Sequence, residues 1–180
     1  MRHSKKISVI IFLLLLCSSS LTFATGAGIQ LSGKPGLLIN EDSAKLEQFT
    51  GRATGTIKSC RLPLVFGFGL EAGKNYSEFN YGISGFVDYH ALELQLENTW
   101  NFYSGFGAEG SLLTRNFENC TFTAGARFFA GMNWLFYDNY LEFYLQQNVV
   151  PAFSKMICDS KGKEAFILGL PFEAGIRMHF

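Results

Sequence analysis

At 180 residues the chain is long enough for one domain. Fifteen basic and fifteen acidic residues cancel, which argues against nucleic acid as a partner. Charged residues make up only 17 %, below the ~25 % of soluble domains, while Phe and Gly each occur 19 times, a balance that suits a surface in contact with lipid.

The chain opens with basic Arg2, His3, Lys5 and Lys6, then a continuous apolar run from Ile7 to Leu16 and a small-residue patch ending at Ala24. This is the layout of an export leader cleaved after Ala24, and the run is too short to span a bilayer, which takes ~20 residues. The expected organisation is therefore a signal peptide over 1–24 and one exported domain over 25–180. A lipoprotein leader ending at Cys17 is the competing reading; Leu16 stands where such leaders resemble one another in carrying a small residue.

From there the chain reads as strands of period two. The first runs over Ala27–Leu38, with Ile29, Leu31 and Leu37 on one parity. Asn40–Cys60 is polar without a sustained period and is expected to be the longest loop. A second strand covers Arg61–Gly73 and a third Phe79–Tyr89. After a tight connection through His90 comes a fourth carrying Leu92, Leu94, Leu96, Trp100 and Phe102, whose pattern Asn98 interrupts. A turn at Tyr103–Gly105 precedes a fifth strand, Phe106–Thr114, and a loop over Arg115–Cys120. The sixth strand, Phe122–Phe136, has Phe, Ala, Met and Trp on every second position. Asp138-Asn139 has tight-turn chemistry, and the seventh strand, Tyr140–Phe153, carries a bulge signal at Gln146-Gln147. A polar loop, Ser154–Glu164, leads to the closing strand. There Phe166, Leu168, Leu170, Phe172, Ala174, Ile176, Met178 and Phe180 oppose Gly169, Glu173, Gly175, Arg177 and His179.

About eight strands of roughly ten residues, with no apolar helix after the leader, match the length needed to cross a bilayer at a tilt. The fold expected is all-β: an eight-stranded antiparallel up-and-down transmembrane β-barrel. Apolar residues face lipid, aromatics (Tyr89, Trp100, Phe102, Tyr103, Trp134, Phe136, Tyr137, Tyr140, Phe166, Phe180) gather at the rims, and the polar parity lines the lumen. A soluble ligand-binding barrel would need the reverse, with Lys, Asp and Glu dense on the polar parity. Here Gly, Ser, Asn, Gln and Thr dominate it.

The final strand resembles the C-terminal strand of bacterial outer-membrane β-barrels, whose terminal aromatic, here Phe180, belongs to the signal read by the barrel-assembly machinery. The whole exported chain resembles the small eight-stranded barrels of the outer-membrane protein A transmembrane domain and outer-membrane protein W type. The resemblance rests on pattern, length and Phe180, with no family-specific motif. It implies a bacterial outer-membrane location, contact with outer-membrane lipid and with the assembly machinery, and a monomer.

Inward charges are Lys34, Glu71, Asp88, Glu93, Glu97, Glu109, Arg127, Glu142, Glu173 and Arg177, with Glu97, Glu109, Arg127 and Glu173 expected near mid-depth. Charges so confined must pair. The expected filling is a salt-bridged plug; the alternative is a narrow acidic passage for cations or small solutes. Cys60, Cys120 and Cys158 fall in three loops placed on one outer face, where two could form a disulfide. No metal-ligand spacing is present and no cofactor is expected. A lipid-modifying barrel enzyme is the weakest reading. Only His90, with Asp88 two residues before it, is suitably placed, and the His-x-Ser arrangement in which lipid A deacylases resemble one another is absent. The function expected is structural or surface-interactive, without catalysis, exercised through Asn40–Cys60, Arg115–Cys120 and Ser154–Glu164, where an extracellular ligand would bind.

Overall fold

The computed structural model describes residues 24–40, 43–59, 62–75, 78–97, 99–115, 120–157 and 164–180. The leader expected over 1–24, Cys17 included, lies outside the described residues up to position 23. Nine strands follow one another: β1 (Ala24–Asn40), β2 (Ser43–Ser59), β3 (Leu64–Asn75), β4 (Glu78–Glu97), β5 (Trp100–Thr114), β6 (Cys120–Phe136), β7 (Leu141–Met156), β8 (Glu164–Gly169) and β9 (Phe172–His179). From β1 to β8 each is antiparallel to the next. β8 and β9 are two halves of one stave, interrupted at Leu170-Pro171, and both pair with β7 on one side and β1 on the other. The ring therefore closes with eight staves.

The registers fix the size of the cylinder. Paired residues lead around the ring from Gly28 through Thr56, Gly67, Phe86, Glu109, Gly125, Ala152 and Ile167 to Leu38, ten residues beyond the start. With ordinary strand spacings, eight staves and this stagger give a tilt of about 40° and a backbone radius of about 8 Å. Side chains alone can fill such a bore.

Polarity is that of a membrane-spanning barrel. Phe128, Phe172 and Phe180 are 53, 52 and 78 % exposed, whereas Glu173 and Arg177 are 0 and 3 % exposed. A water-soluble barrel would show the opposite. Outward aromatics form two belts. Trp100, Trp134, Phe136, Tyr137, Tyr140 and Phe180 ring the end where the chain starts and finishes; Phe49, Phe79, Tyr81, Phe122, Phe153 and Phe166 ring the other. Phe122 and Trp134 lie twelve residues apart on β6, about 30 Å along the axis at this tilt, which suits a hydrocarbon core.

Three sequence expectations fail. First, Asn40–Cys60 is not a loop: β2 occupies it, and Asn40 pairs with Ser43. Its outward residues are mostly Gly51, Ala53 and Gly55 and its inward ones Thr50, Arg52, Thr54 and Thr56, so the hydrophobic contrast along it is faint although the period is intact. Second, no turn occurs at His90. The two segments flanking it are one strand, β4, and the change of apolar parity from odd to even marks a bulge between His90 and Leu92. Third, Tyr103–Gly105 lies inside β5. β4 ends at Glu97 and β5 starts at Trp100; Asn98, which interrupts the apolar pattern, lies between the two strands and outside the described residues. One strand gained and one lost leave the count at eight.

The turn at Asp138-Asn139 is present, with Tyr137, Asp138 and Asn139 at φ of 52, 55 and 70°. Connections at the terminal rim are short. The two longest, between Thr114 and Cys120 and between Met156 and Glu164, share the opposite rim.

Candidate functional site: a charge-packed lumen

Alternation drives every second side chain of each stave into the bore, and in an 8 Å radius these chains meet. Arg127 of β6 is the hub, fully buried. Its guanidinium donates to Asp88 at 2.8 and 3.0 Å, to Glu109 at 2.9 Å, to Glu173 at 2.9 and 3.3 Å and to Asn148 at 3.2 Å. Arg52 of β2 donates to Glu173 at 2.5 Å, and Lys34 of β1 pairs with Glu109. The Arg127 guanidinium also lies 4.3 Å from the centroid of the Phe86 ring. Three cations thus meet three carboxylates contributed by β4, β5 and β9.

Nearer the terminal rim a second knot surrounds Glu142. It accepts from Arg177 at 2.9 Å and Asn133 at 2.7 Å and lies 2.8 Å from His179 Nε2. The ring of Tyr144 lies under the Arg177 guanidinium, and its hydroxyl donates to Gln30 at 2.9 Å. Beside it a cavity of about 270 Å³ opens at that rim, lined by Lys58, Glu93, Asn101, Asn133 and His179 among others.

Aromatic rings fill what the charges leave. Phe86, Phe129, Tyr103 and Tyr144 point inward, each directly opposite a glycine on the next stave: Gly67, Gly105, Gly131 and Gly175 respectively. A Cβ on Gly131 would stand 2.6 Å from the Tyr103 hydroxyl, and one on Gly175 2.4 Å from that of Tyr144. No other residue leaves room for the ring.

Of the inward charges expected from sequence, Lys34, Glu109, Arg127 and Glu173 meet in the central knot, and Glu142 and Arg177 in the second. Glu97 does not join them. It ends β4 at the rim and is exposed, because the segments flanking His90 form one strand that finishes at Glu97 instead of spanning the wall from Leu92. Arg52 was hidden by the loop assignment, although the Thr50/Arg52/Thr54/Thr56 alternation marks it as inward. Tyr103, expected in the aromatic belt, turns into the bore; its parity, opposite to that of Phe102 and Phe106, is the signal.

His90 and Asp88 do not form a catalytic pair. Asp88 is engaged by Arg127, while His90 stacks on Tyr103 with centroids 4.8 Å apart and meets Glu93 at 3.2 Å. His90 also lies at the terminal rim, with His179, and not at the opposite one. Phe180 extends past β9 at that same rim.

Of the three cysteines expected on one outer face, the described residues include Cys120 alone. Cys60 and Cys158 lie outside the described residues, yet the neighbour of Cys60, Ser59, pairs with Ala24 at the terminal rim, whereas Cys120 starts β6 at the other end. The neighbour of Cys158, Ile157, donates its N–H to the Cys120 carbonyl at 2.8 Å.

No protein-family model and no curated protein matches the sequence. Among solved structures the chain is similar to the crystal structure of Neisserial surface protein A, with a TM-score of 0.53 and 12 % identity over 86 % of this chain and 97 % of that one. At that identity the likeness concerns the fold alone.

Proposed function

We propose that the protein is an integral outer-membrane barrel with a structural or surface-interaction role, neither an enzyme nor a pore. One observation carries this reading. Around Arg127 the bore is closed by side chains bonded to one another, so a solute would have to break several buried ion pairs to pass. The likeness to a bacterial surface protein and the apolar wall between aromatic belts support the location. The terminal rim would face the periplasm, where Phe180 is read during assembly. The opposite rim would face outward and present the connections within Arg115–Cys120 and Ser154–Glu164, which are the places for a ligand. β2 occupies Ser43–Ser59 of the stretch expected as a loop over Asn40–Cys60, so recognition would rest chiefly on these two.

Bilayer recording on the refolded barrel tests the closed lumen. Silence is expected; steady, cation-selective channels would favour the narrow-passage alternative and overturn the plug. Release of fatty acid from, or its transfer to, outer-membrane lipid by the purified protein would restore the enzyme reading.

A further inference from the structure

Among the described residues the buried interior holds five carboxylates (Glu71, Asp88, Glu109, Glu142, Glu173) but only four fixed cations (Lys34, Arg52, Arg127, Arg177). Four of the carboxylates are salt-bridged. The fifth, Glu71, is not. It is 3 % exposed; its Oε1 accepts from Thr50 at 3.0 Å, while its Oε2 meets no donor. The cross-strand neighbour that could neutralise it, Arg52, is turned away toward Ser32, Glu109 and Glu173.

Residues bearing hydroxyl groups lie diagonally from Glu71 on both neighbouring strands. Ser84 sits diagonally across from it on β4, facing the same bore, 3 % exposed and with its Oγ also unpartnered. Ser111 is directly opposite Ser84 on β5, and Thr50 lies on β2. A buried anionic oxygen without a donor is strongly unfavourable in a low-dielectric bore. An unpartnered hydroxyl oxygen beside it offers lone pairs in place of a second charge. Hard cations take carboxylate and hydroxyl oxygens, and one missing positive charge calls for a monovalent ion.

We propose that the upper lumen holds one dehydrated alkali-metal cation between Glu71 and Ser84, with Thr50 and Ser111 as flanking oxygens, as a fixed part of the folded barrel. The ion completes the charge balance of the interior and is held, not passed. Its site is separated from the terminal rim by the Arg127 knot.

The test uses the refolded full-length barrel in detergent, with thermal unfolding followed in sodium, potassium or choline chloride at equal ionic strength. An ion bound only to the folded state at a hundredfold excess over its dissociation constant should raise the midpoint by about 5–10 °C over choline. The rise should disappear in Glu71→Gln and shrink in Ser84→Ala. Equal midpoints in all three salts, or a rise that survives Glu71→Gln, would overturn the proposal. Infrared difference spectra of the wild-type barrel supply a readout that needs no variant. In sodium Glu71 should show carboxylate bands; a protonated-acid carbonyl band there would mean that a proton, not a metal ion, supplies the missing charge, and the proposal fails.

Discussion

Replacing Arg127 with Met keeps the volume of the hub and removes its charge. Glu109 would retain Lys34 and Arg52, and Glu173 would retain Arg52. Asp88 would keep only the amide of Gln146 at 3.4 Å. The perturbation therefore reduces to one fully buried carboxylate stripped of its cation. Breaking a buried pair in this way is destabilising by about 3–5 kcal/mol, or about two to three and a half orders of magnitude in the folding equilibrium. Urea unfolding in lipid vesicles, read by tryptophan fluorescence and by heat-modifiable migration on gels, would measure it. Asp88→Asn added to Arg127→Met should recover part of the loss, since a neutral amide needs no counter-charge. An Arg127→Met barrel within about 0.5 kcal/mol of wild type, the range of ordinary surface changes, would refute the claim that this knot holds the interior together.

Other outcomes follow from the same geometry. Gly131→Val should be destabilised by about 1–3 kcal/mol through overpacking against Tyr103, and the penalty should fall when Tyr103 is also changed to Ala; equal penalties in both backgrounds would place the ring elsewhere. Phe128→Arg, in the middle of the apolar wall, should be unfavourable by about 2–4 kcal/mol in vesicles, and a neutral result would contradict a lipid-facing position. Under oxidation, Cys120 should be found linked to Cys158 and never to Cys60 by peptide mapping without reductant, because a disulfide requires α-carbons within ~7 Å and Cys60 follows Ser59, which pairs at the terminal rim, away from Cys120. Reversing the exposed Lys155–Glu164 pair, 2.6 Å apart at the rim away from the termini, should leave the unfolding midpoint unchanged.

Sequence periodicity was informative where outward residues were large. β6 and the closing stave could be read in register because Phe, Met, Trp and Ile alternate with small or charged residues. β2 was hidden because its wall is built from Gly51, Ala53 and Gly55, small residues that can face lipid without burying a charge but that carry little hydrophobic contrast. At Ala91 the reason was different: an extra residue in one strand of a pair inverts the parity downstream, and in a linear text an inverted parity looks like a turn. The lumen was legible as a list of inward charges but not as a set of partners. Which acid meets which base depends on the ten-residue stagger around the ring, and only the closed cylinder reveals it.

The four rings seated on glycines bear on how the cylinder assembles. Each seat joins two adjacent staves at a single level, and together they bridge β3 to β4, β5 to β6 at two levels, and β7 to β9. A hairpin that slid by two residues would keep its greasy side outward and its backbone bonds intact, so neither lipid nor hydrogen bonding would reject it. At β5–β6 it would, however, drive Tyr103 against Phe129 or Asn133, where a side chain already stands. The glycine sockets thus act as a proofreading key, discarding misaligned barrels that the membrane alone would tolerate.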